Sequence, residues 1–404
     1  MTALAPLRHD LDIMPSPAPD RPGLFVRDPL RFSDAMIVIP WALAPCLRCF
    51  DGSHSDGDLR DALARITGEN QAGSLKDELL GALRESGFLE DETFAQMRAA
   101  REREFERASE RCAVHAGFSY PAERDALDQT MRGYLDPRDL QPDGLAAVAA
   151  PHVSPFGGWQ SYQAAYRKLP SAKEDRTFII LGTSHYGEPD KFGLTRKRFT
   201  TPLGTARTDE TIVRRLAEKA ASATKLEDYC HSVEHSIEFQ VLFLQWIYGP
   251  EITIVPILCG SFLPSIRDGG MPEDNAANER FFGELAEISA ACGDSLFWVL
   301  GIDMAHIGRR YHDTFDARAS EGYMQEVARR DAQRNERVAA GDAAGFWSLV
   351  QPNGDDLRWC GSSPLYTFLK THPGIRGTVE RYDQWNIDEK SVVTFAGITF
   401  SRWQ

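Results

Sequence analysis

The 404-residue chain has no apolar run approaching the ~20 residues that a membrane helix needs, so no span across a bilayer is expected. Its amino end, MTALAPLRHDLDIMPSPAPDRPG, lacks the apolar stretch of a secretory signal and is broken by Pro and Asp. Positive charge is in short supply: 45 Lys and Arg stand against 59 Asp and Glu, a formal net charge of −14. Phosphate affinity comes from clustered basic side chains, so this balance argues against nucleic acid or an anionic membrane as partner. The nearest basic cluster, Arg196-Lys197-Arg198, has only Phe199 beside it and reads as a solvated loop. Seven cysteines, an odd number scattered over the chain, do not make a disulfide framework, and a reducing cytoplasm is the expected location.

What is present suits a globular chain of two domains. Residues 1–22 are Pro-rich and expected to form a disordered or extended tail. Residues 23–92 read as a small winged-helix-like domain. Leu24-Phe25-Val26 and Met36-Ile37-Val38-Ile39 are its strands, Trp41 to Phe50 a short helix, Leu59 to Ile66 a helix capped by Asp58, and Leu75 to Ser86 a helix closed by Gly87. Residues 93–142 read as a helical linker, its first part (93–111) exposed and laced with charge. From 143 to 404 apolar runs alternate with helical stretches. That pattern predicts an α/β domain with a mainly parallel central sheet flanked by helices.

Three strand-like runs of this larger domain each end in a histidine: AAVAAPH at His152, TFIILGTSH at His185 and LFWVLGIDMAH at His306. In open α/β sheets ligands bind outside the carboxyl ends of strands, so these histidines are candidates for one crevice. Each taken singly is as readily a satisfied histidine at the core's edge; the repetition carries the reading. Asp303 and His306 form an i, i+3 pair if a helical turn follows, a carboxylate placed to orient an imidazole.

Cys230-His231-Ser232-Val233-Glu234-His235-Ser236-Ile237-Glu238 is the densest run of metal-capable side chains. On a helix His231 and His235 would lie one turn apart. The order His-Glu-x-x-His is absent, which removes the zinc-protease reading. His231 is read as a solvated face and Glu238 as a buried carboxylate that orients other groups. Cys360, in Trp359-Cys360-Gly361-Ser362-Ser363-Pro364, sits at a loop-to-helix junction, where a thiolate is stabilised and ligates soft metals. Cys46, Cys49, Cys259 and Cys292 are read as core.

Taken in order, APHVSPFGG, ILGTSHYG, EHSIEFQ, VPILCG, DMAHIG and WCGSSPL resemble the motifs of the Memo family, the AmmeMemoRadiSam system protein B-like proteins. That family is in turn similar to class III extradiol dioxygenases of the protocatechuate 4,5-dioxygenase type. The resemblance covers residues from about Asp143 onward and implies one α/β domain with a pocket at the strand ends. It implies a metal held by His152, His185 and Cys360, with Asp303 and His306 beside it and His306 moving protons. Glu234, His235, Glu238 and Ser184 would line or support the pocket. Iron (Fe2+) is the implied cofactor, with copper and zinc left open. Radical S-adenosylmethionine proteins are implied partners, and the substrate would be a small or peptide-linked molecule. The implied chemistry is redox or O2-dependent; a non-catalytic ligand-binding protein and a catechol extradiol dioxygenase are the alternatives. DMAHIG departs from common forms in having no aromatic directly after His306. In the small domain, Phe50-Asp51-Gly52 and Gly87-Phe88-Leu89 resemble PqqD-like modules, which implies peptide capture by strand addition.

Overall fold

The computed structural model describes residues 3–140, 144–170 and 176–401, so the domain start expected at Asp143 lies outside the described residues. Compactness divides the chain into Met1–Arg107 and Ala108–Gln404.

In the first unit β1 (Asp12–Pro15), β2 (Gly23–Arg27) and β3 (Met36–Pro40) form an antiparallel sheet in that order. Helices Asp56–Thr67, Glu69–Glu85 and Glu92–Arg107 accompany it. Val26, Ile39, Leu59, Leu63, Leu83 and Phe88 make the core. Trp41 to Phe50 contains only a 3-10 turn, Ala44–Cys49, as Pro45 would dictate. Of the tail expected at 1–22, the described residues 3–22 are instead built in. Residues 12–15 pair with 24–27, and Arg8 is buried against Asp28 (2.9 Å) while donating to Gly87 O (3.0 Å). The charge-rich stretch at 93–111 is helical and mostly exposed as expected, up to the end of the first unit. Its helix ends at Arg107 and buries Phe94 and Phe105, eleven residues and so three turns apart on one face. The cap of helix Asp56–Thr67 is Ser55 rather than Asp58. Ser55 Oγ accepts the Asp58 N–H (3.4 Å) and the Asp58 carboxylate accepts the Ser55 N–H (2.7 Å), a reciprocal pair.

The second unit holds β4 (Glu110–Arg111), β5 (Ala147–Ala150), β6 (Thr177–Thr183), β7 (Phe192–Leu194), β8 (Arg198–Thr201), β9 (Gly204–Thr208), β10 (Thr224–Leu226), β11 (Thr253–Cys259), β12 (Leu296–Gly301), β13 (His306–Gly308), β14 (Arg376–Asp388) and β15 (Ser391–Ser401). They form one sheet along the path β13-β15-β5-β12-β6-β11-β9-β8-β4, with β14 on β15 and β7 joining β10 and β11. The centre, β5-β12-β6-β11, is parallel; β15, β14 and β13 add an antiparallel flank.

Continuous apolar runs make that centre because it is covered on both faces. Ile179, Leu181, Val255, Ile257, Trp298 and Leu300 pack under helices Glu210–Lys219, Ala276–Cys292, Tyr323–Ala339, Ala343–Val350 and Ser362–Thr371. The alternate residues Phe178, Ile180, Ile254, Leu258, Phe297 and Val299 face helices Arg124–Tyr134, Pro155–Tyr166 and Glu238–Tyr248. Burying each such side chain contributes roughly 1.5–3 kcal/mol. The stretch between β6 and helix Glu210–Lys219 is no plain loop: three strands of three to five residues lie in it, too short and polar for a periodic signal. The basic cluster there is ion-paired: Lys197 is buried, whereas Arg196 and Arg198 stay exposed, as expected of a solvated segment. Arg196 and Lys197 both pair with Glu227 (3.0 Å each), and Arg198 pairs with Glu110 (2.6 Å).

Ser55→Ala removes the reciprocal cap, an expected loss of about 1 kcal/mol that speeds amide exchange through Asp56–Thr67 about fivefold. Unchanged exchange there would contradict the cap's role.

Candidate metal centre

Register decides what meets at the end of the sheet. Ala150 of β5 is level with Gly301 of β12, which is level with Gly182 of β6. Two or three residues beyond that line stand His152, Asp303 and His185, so strand alignment alone delivers them to one crevice. Two glycines then admit chain from elsewhere. A Cβ on Gly301 would lie 2.1 Å from Ser236 O, so only glycine lets the Glu234–Ile237 segment cross here. A Cβ on Gly361 would meet Asp303 O at 2.7 Å; its absence seats the Cys360 loop against the end of β12.

The side chains converge accordingly. Cys360 Sγ is 3.3 Å from His152 Nε2 and hydrogen-bonds to His185. Ring nitrogens of His152, His185 and His235 all lie within 4.8 Å of one another. Asp303 Oδ2 is 3.5 Å from His152 Nε2. The outward nitrogens are occupied. His152 Nδ1–H donates to Gly301 O (2.9 Å), and a carbonyl only accepts, so Nε2 is the free base. Glu234 Oε1 accepts from Nδ1 of His185 (3.0 Å) and of His235 (3.1 Å) and from the His235 amide (2.8 Å). One buried carboxylate thus aims two imidazoles inward. His152 is sealed, its side chain 1% exposed, whereas His185 and His235 keep 26% and 28%, so the crevice opens on their side.

Electrostatics follow from burial. Burial alone would raise the Glu234 carboxyl, but the imidazoles of His185 and His235 hold it well below the usual range. Burial pushes Asp303 up to about 7, against the amides of His152 (2.9 Å) and Val153 (3.2 Å) that its Oδ1 accepts. It also pushes the Cys360 thiol up, with the His185 hydrogen bond opposing, and lowers His306 to about 4.

Several expectations need correction. Asp303 and His306 do not share a helical turn, because residues 304–306 run beside β15: Met304 N–H donates to Thr394 O (2.8 Å), and His306 opens β13. Asp303 therefore serves His152, while His306 is oriented by carbonyls, its Nδ1 donating to Met304 O (3.0 Å) and Arg358 O (3.1 Å). The segment Glu234–Ile237 precedes its helix, which starts at Glu238, so His231 and His235 are not one turn apart on a helix. His231 is not a solvated face: it is buried and bonded to Gly193 O (3.0 Å), away from the cluster. Ser184 Oγ is buried near Gly187 and has no partner among the described residues.

Glu238 does not touch the histidine cluster. It pairs with Arg111 and Tyr120 and accepts the amides of Val114 (3.2 Å) and His115 (3.1 Å). It thereby fixes a segment whose His115 ring packs on His235, centroids 5.5 Å apart. Sequence reading missed Arg111, His115 and Tyr120, which lie in no periodic apolar run and are joined to the site by contacts about 120 residues away. It also missed Arg358, whose guanidinium donates to His306 O (2.8 Å) and pairs with Asp313 (2.6 Å).

The family model described as Memo-like protein matches residues 111–399. The chain belongs to the Memo family. A MEMO1 family protein of Aquifex aeolicus is 22% identical over 93% of this chain and 95% of its own length. One from Thermococcus kodakarensis is 27% identical over 71% of this chain and 98% of itself. An uncharacterized protein of Escherichia coli K12, seen in a crystal structure, is similar over 63% of this chain and 99% of its own, with 12% identity and a TM-score of 0.38, too loose a likeness to say more. The Memo match leaves the first unit outside it, and no described helix is long and apolar enough to cross a membrane.

Arg111→Met leaves Glu238 buried without its cation, an expected loss of about 3–5 kcal/mol in denaturant unfolding at neutral pH. The folded Glu238 carboxyl is held below its ordinary value: burial opposes this, and Arg111, His115 and Tyr120 together outweigh it. Its stabilisation is therefore present above the unfolded value of about 4.3 and lost as pH falls, so the gap between wild type and variant should narrow in acid. A gap that widens in acid would contradict this assignment.

Proposed function

We propose that this crevice is a metal centre, holding iron through His152, His185 and Cys360 and serving redox or O2-dependent chemistry on a small or peptide-linked substrate. The observation that carries the proposal is the meeting of Cys360 Sγ with His152 Nε2 at 3.3 Å, while the far nitrogens of His152 and His185 are tied to Gly301 O and Glu234. Such second contacts fix the tautomer and raise the basicity of a ligating imidazole, which fits the residues to a metal. A thiolate in place of a third hard donor gives more charge and softer character, so copper and zinc remain alternatives that elemental analysis decides. When bound, iron supplies one-electron chemistry and binding of O2.

The remaining roles belong to the chain. His306, with Nδ1 donated to two carbonyls, keeps Nε2 as a base and accepts or returns a proton there. Tyr311 stands edge-on to its ring (centroids 4.9 Å apart), and the Arg358 guanidinium donates to the backbone carbonyl of His306 (2.8 Å). Asp303 grips the amides of His152 and Val153 and keeps the His152 imidazole at the crevice. The partly exposed side of His185 and His235 admits substrate.

Protein purified without air should carry about one iron per chain, and His152→Ala should lose it while keeping its far-ultraviolet circular dichroism. Metal content unchanged by that substitution would remove the proposed ligand set. Loaded with Fe(II), the chain should take up O2 in the presence of its substrate; ring cleavage within a catechol panel would instead favour an extradiol dioxygenase. Glu234→Ala, by freeing two imidazoles at once, should weaken metal binding about 10- to 100-fold by competition titration.

A further inference from the structure

We propose that the crevice offers one ion two overlapping donor triads, sharing His152 and His185 and completed by Cys360 in one and by His235 in the other. This rests on the metal-centre reading and goes beyond it by making His235 a donor that selects which ion is held.

His235 is built as a donor. Its ring nitrogen and those of His152 and His185 fall within 4.8 Å of one another. Its ring stacks on His185, centroids 4.9 Å apart and 10° from parallel, and stands nearly perpendicular to His152 at 5.1 Å. Glu234 Oε1 takes its Nδ1–H at 3.1 Å, which leaves Nε2 as the lone-pair nitrogen. A histidine kept only for solubility needs no buried carboxylate, yet this one shares a carboxylate with His185. His115 and Phe239 pack against its ring, each at 5.5 Å, and so limit its rotamers.

The two triads differ in chemistry. Two imidazoles with a thiolate favour soft ions, whereas three imidazoles favour borderline divalent ions. An ion of the second kind should therefore survive loss of the thiol, and Cys360 and His235 should back each other up.

The test is Co2+ titration of the full chain in five forms besides wild type: Cys360→Ser, His235→Ala, His235→Gln, the Cys360→Ser/His235→Ala double variant and His152→Ala. Cobalt reports a bound thiolate through a near-ultraviolet charge-transfer band. Cys360→Ser should lose that band yet bind Co2+ within about tenfold of wild type; His235→Ala should keep the band and a similar affinity. The double variant should fall about a hundredfold below either single one, a non-additive loss expected of donors that replace each other. His235→Gln, which conserves bulk and a polar contact to Glu234, should reproduce the Ala result and covers the case of a misfolded variant. The proposal is overturned if Cys360→Ser releases Co2+ as fully as His152→Ala, or if the double variant binds as well as Cys360→Ser. Wild type that takes up no Co2+ overturns the metal-centre reading as well, so the two failures are distinct.

Discussion

The level ending of three parallel strands is the constraint on which the candidate centre depends. Because Ala150, Gly301 and Gly182 lie in one hydrogen-bonded row, the residues just beyond them are neighbours whatever their separation along the chain. A slip of one residue in either pairing would turn every side chain of that strand to the opposite face, so the two apolar layers that cover the sheet also guard the site's register. The site is thus held by the same burial that stabilises the fold.

A second level of order is polar. Glu234, fully buried, joins β6 to the segment that crosses the sheet, accepting the His185 amide (2.9 Å) as well as both imidazoles. Glu238, four residues on, fastens the segment from Arg111 to Tyr120 behind His235. Each carboxylate is costly to bury alone and tolerable only with its partners in place, so the two together specify one arrangement of the crevice.

Part of this was legible in the sequence. The apolar runs ending at His152 and His185 marked buried strands and their exits, since both period and length belong to a parallel sheet. Six ordered motifs pointed to the Memo family, which the family match over residues 111–399 shows. Cys360 was legible chiefly through that resemblance, because its place beside His152 depends on a close approach at Gly361 that no spacing rule reports. The turn imagined between Asp303 and His306 failed because pairing with β15 outweighed local helical geometry. The inward aim of His235 was hidden for a similar reason: the missing Cβ of Gly301, over sixty residues away, makes room for its segment. Charge along 93–111 masked the two phenylalanines that the helix Glu92–Arg107 buries.

X-ray absorption at the metal edge tests the central claim most directly, using the chain loaded with zinc in the absence of air. One sulfur at about 2.3 Å with imidazole nitrogens at about 2.0–2.1 Å is the result expected if Cys360 and the strand-end histidines share an ion. A spectrum fitted by oxygen alone, with neither sulfur nor imidazole scattering, would contradict it.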